Sequence, residues 1–137
     1  MAGRAQRLAA RLAARRARGA ASRVAGRRQE VVAAIWLMLK GYRILGFRLK
    51  TPAGEIDLLA QKGRVLAVVE VKSRATLEDA LDAVSPAQRA RLRRAGQALA
   101  ARRPALMRLN LRLDMVALAP KRRPRHIADA WRDDAGA

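Results

Sequence analysis

The chain has 137 residues, which is enough for one domain of ordinary size. It contains no cysteine and only one histidine, so disulfide bonds, cysteine-ligated zinc or iron–sulfur sites, thiol catalysis and histidine-rich metal sites are excluded. Its 30 Lys and Arg residues against 11 Asp and Glu give a formal net charge of +19. The functions that remain are metal chemistry with oxygen ligands, or binding without catalysis.

The predicted elements switch between helix and strand patterns along the chain. They are, in chain order, a helix over 26–40, strands over 42–49, 55–61 and 64–72, a polar connection over 73–84, a helix over 86–103, a strand over 109–118 and a short edge strand over 126–131. In the first helix Val32, Ile35, Trp36 and Leu39 share one apolar face. The second helix opens at Ser85-Pro86, a cap followed by proline at the first position. The strands carry apolar residues on both sides, which predicts an α/β domain: a mixed β-sheet flanked by helices, in the order α-β-β-β-α-β-β.

The chain divides into a basic Arg/Ala-rich arm over 1–25, a domain over 26–131 and a tail over 132–137. The first 29 residues hold nine arginines and no acid. We interpret the arm as disordered or loosely helical and as a non-specific DNA contact, although a mitochondrial presequence has the same composition. The longest strongly apolar run, 31–39, is shorter than the about 20 residues that span a bilayer. We therefore expect a soluble, cytoplasmic protein that does not enter a membrane.

The positive charge indicates the class of partner. Besides the arm, the segment 83–113 holds eight arginines and no acid, and a third basic cluster occupies 121–125. Such a surface repels itself unless a polyanion neutralises it, and nucleic acid is the commonest polyanion; an anionic membrane is the main rival. The four aromatic residues are too few to support the extended base stacking found in oligonucleotide-binding barrels.

The few acids are concentrated on two neighbouring strands. Because side chains alternate between the faces of a strand, Glu55 and Asp57 share one face, while Ile56, Leu58 and Ala60 share the other. By the same rule Glu70 and Lys72 share a face of the next strand. Three carboxylates and one ammonium group therefore converge on one patch of the sheet.

The hairpin between these strands sets which acids are opposed. If 62–63 is a two-residue turn, Asp57 lies opposite Val68, and Glu55 lies opposite Glu70. Carboxylates this close destabilise the strand pair and raise each other's pKa, and a hard divalent cation removes that cost. The alternative is that the acids are solvated charges and that Lys72 pairs with one of them.

The ordered motifs resemble those of a known nuclease family. Gly54-Glu-Ile-Asp57, a short hairpin and Glu70-Val-Lys72 resemble the PD-(D/E)xK nuclease core, and in detail the chain resembles the YraN family of small bacterial proteins, which are predicted endonucleases related to archaeal Holliday-junction resolvases. The other matching segments are Gly26-Arg-Arg-Gln-Glu30, Gly41-Tyr-Arg-Ile-Leu45, Val84-Ser-Pro86, Arg91-Leu-Arg-Arg94 and Leu113-Asp-Met-Val116. The likeness covers Gly26 to about Trp131 and implies a restriction-endonuclease-like fold.

The resemblance also implies roles for individual residues. Asp57 and Glu70 would be ligands of Mg²⁺ or Mn²⁺, helped by the carbonyl of Val71, with Glu55 as an auxiliary ligand. Glu30 would reach the site from the first helix, and Lys72 would position or activate the attacking water and stabilise charge on the phosphate. Nucleic-acid contacts are assigned to six arginines, which are Arg27, Arg28, Arg74, Arg89, Arg93 and Arg94.

Two departures from the family pattern and one match with an open role qualify the resemblance. Gln29 stands where the family usually has glycine, and Gln88-Arg89 stand at its usual Lys-Gln pair. Asp114 matches a recurrent family aspartate, but a strand-capping or salt-bridging role suits it at least as well as catalysis.

The leading hypothesis is a metal-dependent endonuclease that hydrolyses phosphodiester bonds in DNA, branched or junction DNA included; a homodimer would suit cutting at paired sites. The alternative is a non-catalytic nucleic-acid-binding scaffold, and a membrane-surface role for the basic arm is a distant third.

Overall fold

The computed structural model describes the backbone of residues 3–136 and the side chains of all of these except 21, 22, 24, 135 and 136. Its helices and strands are α1 (Arg4–Leu39), β1 (Arg43–Thr51), β2 (Gly54–Lys62), β3 (Val65–Ser73), α2 (Leu77–Asp82), α3 (Pro86–Arg102), β4 (Asn110–Leu118) and β5 (Arg125–Ile127), with two short 3₁₀ helices at Pro104–Leu106 and Arg132–Gly136. The five strands form one sheet in sequence order, in which β3 and β4 are parallel and the other pairs are antiparallel. The predicted α/β domain with a mixed sheet flanked by helices is confirmed.

The two main helices cover opposite faces of the sheet. α1 packs against a cluster that includes Leu58, Ala67 and Val69, and the cluster beneath α3 includes Leu59 and Val68. Contact between α3 and the sheet is close at Gly96, where an added Cβ would lie 2.7 Å from Cγ2 of Val68. The adjacent strands β2 and β3 are therefore buried on both sides.

The first helix is longer than predicted and presents a different face to the sheet. It begins at Arg4, not at residue 26, because alanine and arginine are both strong helix formers. Its buried residues are Glu30, Ala33, Ala34 and Leu37, which follow an i, i+3, i+4, i+7 spacing. The small alanines let the helix lie close to the sheet, whereas the predicted apolar face is largely exposed: Val32, Ile35 and Leu39 are exposed and Trp36 is half-buried.

Two further element boundaries differ from the sequence prediction. The connection over 73–84 contains the short helix α2, whose first turn is capped by the Thr76 hydroxyl accepting the Asp79 N–H. The final edge strand ends at Ile127, and Trp131 leaves the strand to join the core beneath α3. The predicted boundary at 25/26 falls inside α1, and residues 1–2 of the arm and 137 of the tail lie outside the described residues.

The β2–β3 hairpin has a register two residues away from the predicted one. Lys62 pairs with Val65, so the turn residues are Gly63 and Arg64, and Gly63 takes the φ of +58° that this turn requires. The prediction that Asp57 lies opposite Val68 is therefore wrong, since Leu59 is the partner of Val68. Because the shift is an even number of residues, it does not by itself move a side chain to the other face of the sheet.

The side-chain alternation of β1 and β2 changes over at Arg48 and Asp57. Leu58 packs under α1, but Ile56 packs under α3 together with its cross-strand partner Leu49. The prediction that Ile56 shares a face with Leu58 and Ala60 is therefore wrong. Arg48 adopts a φ of +49°, which breaks the two-residue alternation of a regular strand.

None of the helices in the described part of the chain combines the length and apolar character that a bilayer crossing needs.

Candidate active site

Two carboxylates and a lysine meet where β2 and β3 separate. The last paired residues of the two strands are Leu58 and Val69, and beyond them the N–H of Val71 donates to Oδ2 of Asp57 at 3.0 Å. The register places Glu70 beside Asp57, and the two carboxyl groups interact directly. Nζ of Lys72 lies 3.5 Å from Oε1 of Glu70. The Asp57 side chain thus takes the place of a backbone partner and is held against Glu70.

Burial of this pair makes ionisation of both carboxyl groups costly. Burial, followed by the neighbouring Asp57, raises the pKa of Glu70 to about 7, against the lowering effect of Lys72. Burial also raises the pKa of Asp57, although the Val71 N–H and Lys72 act in the opposite direction. A proton or a cation at this position would therefore be retained near neutral pH.

The structure places the other two predicted acids differently. Glu55 is exposed at the rim of the site, where its charge acts on Asp57. Glu30 is buried on α1, and its Oε2 accepts a hydrogen bond from Nε of Arg48 at 2.8 Å. That bond, followed by the charges of Glu30, Glu55 and Asp57, raises the pKa of Arg48 further. Arg48 is therefore a link between Glu30 and the acids of the sheet, which the sequence analysis did not identify.

A cleft of about 160 Å³ opens beside the acids. β2 and β3 contribute Gly54, Glu55, Asp57 and Glu70, and α3 contributes Gln88, Arg91, Leu92 and Ala95. The α3 residues follow an i, i+3, i+4, i+7 spacing, and their phase is fixed by the Ser85 cap, whose hydroxyl accepts the N–H of Gln88 at 3.2 Å. The cleft therefore faces the carboxylates with an amide and a guanidinium group.

Of these α3 residues, Gln88 and Arg91 belong to the family motifs, and the sequence alone gave them no role in the site. The helix phase, read from Ser85-Pro86, was the signal that could have placed both residues on one face.

The donor set suits a hard divalent cation with few protein ligands. Among residues 3–136, no group of three or more His, Asp or Glu side chains is placed to hold a metal ion. Mg²⁺ commonly takes one or two carboxylates and completes its shell with water and phosphate oxygens. Asp57 and Glu70 form such a pair, and burial is the main cause that raises the pKa of each carboxyl group. The residues present therefore fit Mg²⁺ or Mn²⁺.

Three of the arginines assigned to nucleic-acid contact are exposed, namely Arg27, Arg28 and Arg94. Arg74 is exposed as well, and it donates to the carbonyl of Ser73.

The other two hold the C-terminal segment against α3. Arg89 lies 3.1 Å from Asp134, and Arg93 lies 3.9 Å from the same carboxylate and donates to the carbonyl of Trp131. These two guanidinium groups are already paired within the chain.

Asp114, which is fully buried on β4, is the centre of a separate network. Its carboxylate accepts two hydrogen bonds from Arg112 at 2.7 Å and one from the N–H of Asp129, and it lies 2.8 Å from Nε2 of His126. Burial alone would raise the pKa of Asp114, but the bonds from His126 and Arg112 outweigh it and hold the pKa below its usual range. Arg112 also donates to the Tyr42 hydroxyl. This arrangement fits the salt-bridging role considered for Asp114.

Comparison with known proteins matches residues 29–118 to a family model described as "Uncharacterised protein family UPF0102". A UPF0102 protein of Caulobacter vibrioides is 68% identical over 117 residues, which are 85% of this chain and 94% of the relative. One of Caulobacter sp. strain K31 is 66% identical over 121 residues, 88% of this chain and 87% of the relative. One of Paramagnetospirillum magneticum is 53% identical over 113 residues, 80% of this chain and 88% of the relative. The chain belongs to the UPF0102 family, the YraN family that its motifs indicate.

Proposed function

We propose that the protein is a metal-dependent endonuclease that hydrolyses phosphodiester bonds in DNA, with branched or junction DNA among its substrates. The observation that carries the proposal is the contact between the buried carboxylate of Glu70 and the half-buried carboxylate of Asp57, with Lys72 beside them at the edge of a cleft. A cluster of ionisable groups with perturbed pKa values in a cleft is a common property of active sites.

The chain's own groups have separate tasks in this proposal. Asp57 and Glu70 would hold Mg²⁺ or Mn²⁺, with the carbonyl of Val71 and the carboxylate of Glu55 as further oxygen donors. The bound ion would neutralise charge on the phosphate and lower the pKa of a coordinated water. Lys72 orients the attacking water and stabilises negative charge as it develops on the phosphate.

The groups on α3 and α1 support that geometry. Gln88 and Arg91 face the carboxylates across the cleft, where an amide and a guanidinium group bind phosphate oxygens. Glu30 acts through Arg48, whose guanidinium it fixes at 2.8 Å, and is therefore a positioning residue in this proposal.

The charge of the chain supports nucleic acid as the partner. A net charge of +19 favours a polyanion, and the exposed arginines at 27, 28, 74 and 94 supply phosphate contacts. The proposal includes a cytoplasmic location and a homodimer for junctions cut at two sites.

The test is a cleavage assay with end-labelled four-way junction, flap and single-stranded DNA, each with Mg²⁺, Mn²⁺ or EDTA. We expect cleavage with either metal, none with EDTA, and a loss of at least about 100-fold in Glu70→Gln and Lys72→Ala. The matched control is Glu78→Gln, an exposed acid on α2, which should cleave like the wild type.

No cleavage by folded wild type, together with retained salt-sensitive binding, would refute the proposal and favour a nucleic-acid-binding scaffold. Cleavage that survives both substitutions would place the activity elsewhere in the chain.

A further inference from the structure

A second cleft lies on the α1 side of the sheet. It has a volume of about 260 Å³ and is lined by Arg27, Glu30 and Val31 from α1 and by Phe47 and Arg48 from β1. Its walls are mainly apolar because the Phe47 and Val31 side chains remain 45% and 48% exposed there. A concavity lined by adjoining exposed apolar side chains is typical of a binding site.

The backbone of β1 brings an aromatic ring and a guanidinium group to the same side. Successive side chains of a regular strand point to opposite faces, so Phe47 and Arg48 would normally be separated by the sheet. At Arg48 the φ of +49° breaks that alternation, and its Nε reaches Glu30 on α1. A non-glycine residue held in this region is strained, and such strain is concentrated at functional sites.

Arg48 in this cleft interacts with the acids of the candidate active site. Arg48 is fixed in the cleft by Glu30, and the charges of Glu55 and Asp57 act on the same guanidinium group. A nucleotide bound in the cleft would lie beside Arg48, which the ion pair with Glu30 holds there. Arg27, exposed on the rim, supplies a positive charge for the adjoining phosphate.

We propose that this cleft binds one unpaired nucleobase of the nucleic-acid strand, stacked on Phe47 and flanked by Val31. The inference rests on the proposed function and adds a substrate requirement to it. Base pairing and stacking within a duplex hide the face that Phe47 would cover, so the cleft selects strands with an unstacked base: single strands, flaps and branch points. One such site is compatible with a chain that has four aromatic residues in all.

The test measures binding rather than cleavage. The full chain in EDTA is titrated into a fluorescein-labelled thymidine hexanucleotide and into an abasic hexanucleotide of equal charge. We expect the wild type to bind the strand with bases about tenfold more tightly, the order of magnitude of one base–aromatic stack. Phe47→Ala should remove this preference and Phe47→Tyr should retain it.

Two control variants separate stacking from charge. Leu39→Ala removes an exposed apolar side chain of α1 that does not line the cleft and should bind like the wild type. Arg27→Gln should weaken both strands equally and lower the salt dependence of binding.

Equal binding of the two strands by the wild type, or a preference that persists in Phe47→Ala, would overturn the inference. The wild-type comparison needs no substitution, so a poorly folded variant does not decide the result. A base preference without any cleavage would support the nucleobase site and refute the proposed endonuclease activity. Cleavage without a base preference would support the endonuclease activity and refute the nucleobase site.

Discussion

Ionisation of Glu70 should destabilise the metal-free protein as the pH rises through 7. Its pKa is about 7 in the folded chain and 4.5 in the reference state, so between these values the folded state binds more protons than the unfolded state. The free energy of unfolding therefore falls with increasing pH in that interval, and the stabilisation is fully present only below about pH 4.5. The raised pKa of Asp57 acts in the same direction.

The shift of Glu70 corresponds to about 3 kcal/mol of unfolding free energy, since one pKa unit is worth about 1.4 kcal/mol. The assay is urea unfolding in EDTA at intervals from pH 5 to pH 8, for the wild type and Glu70→Gln. Because the groups outside this site are common to both proteins, the difference between them reports on Glu70 and on the Asp57 carboxyl that it contacts. We expect Glu70→Gln to gain stability over the wild type as the pH increases.

Addition of Mg²⁺ should oppose the loss in the wild type, because a cation binds the ionised carboxylates and stabilises the folded state. Parallel pH profiles for the wild type and Glu70→Gln would refute the reasoning. They would show that the Glu70 carboxyl is solvated well enough to ionise as it does in the unfolded chain.

The remaining predictions concern packing and the buried network, and urea unfolding measures each of them. Asp114→Asn should cost about 3 kcal/mol, because it leaves the Arg112 guanidinium without its charged partner; a cost below 1 kcal/mol would contradict the network. Leu37→Ala should lower the free energy of unfolding by at least about 2 kcal/mol because Leu37 is buried, whereas Ile35→Ala should change it by no more than about 0.5 kcal/mol because Ile35 is exposed. The reverse order would mean that α1 packs through the face predicted from the sequence. Gly96→Ala should destabilise by about 1 kcal/mol, since steric overlap exceeds the gain in helix propensity; unchanged stability would mean that α3 can move away from the sheet.

The strands and the shared side of Asp57 and Glu70 were predictable from alternation, although the alternation fails at Ile56. The hairpin turn lies at Gly63 and Arg64, one residue beyond the predicted turn at 62–63, so the cross-strand partner of each residue shifts by two positions. Because two is an even number, Asp57 and Glu70 stay on their predicted faces. The error even brings the two acids closer, because the actual register sets Asp57 beside Glu70. The parity of a strand is therefore a safer guide to a site than its exact pairing.

The buried face of α1 was not predictable from hydrophobicity. The apolar pattern gives greatest weight to valine, isoleucine and leucine, whereas the packing selects Ala33 and Ala34 because they allow close approach to the sheet. How closely a helix can approach depends on the shape of the sheet surface beneath it, and the residue pattern of the helix does not show that shape. The same limit applies to Glu30. Its ion pair with Arg48 depends on the positive φ of Arg48, and a positive φ can be predicted from sequence mainly where the residue is glycine.

The irregularity at Arg48 and Asp57 connects the two clefts. In a continued ladder the N–H of Val71 would bond to the backbone of β2, and the Asp57 side chain would lie on one face of the sheet. Instead the pairing of β2 with β3 ends at Leu58 and Val69, and the carboxylate of Asp57 accepts the hydrogen bond from the N–H of Val71. On the neighbouring strand β1, the side chain of Arg48 turns towards Glu30. One interruption of the sheet thus places a carboxylate beside Glu70 on one side and opens the Phe47 cleft on the other. A regular sheet of the same composition would have neither.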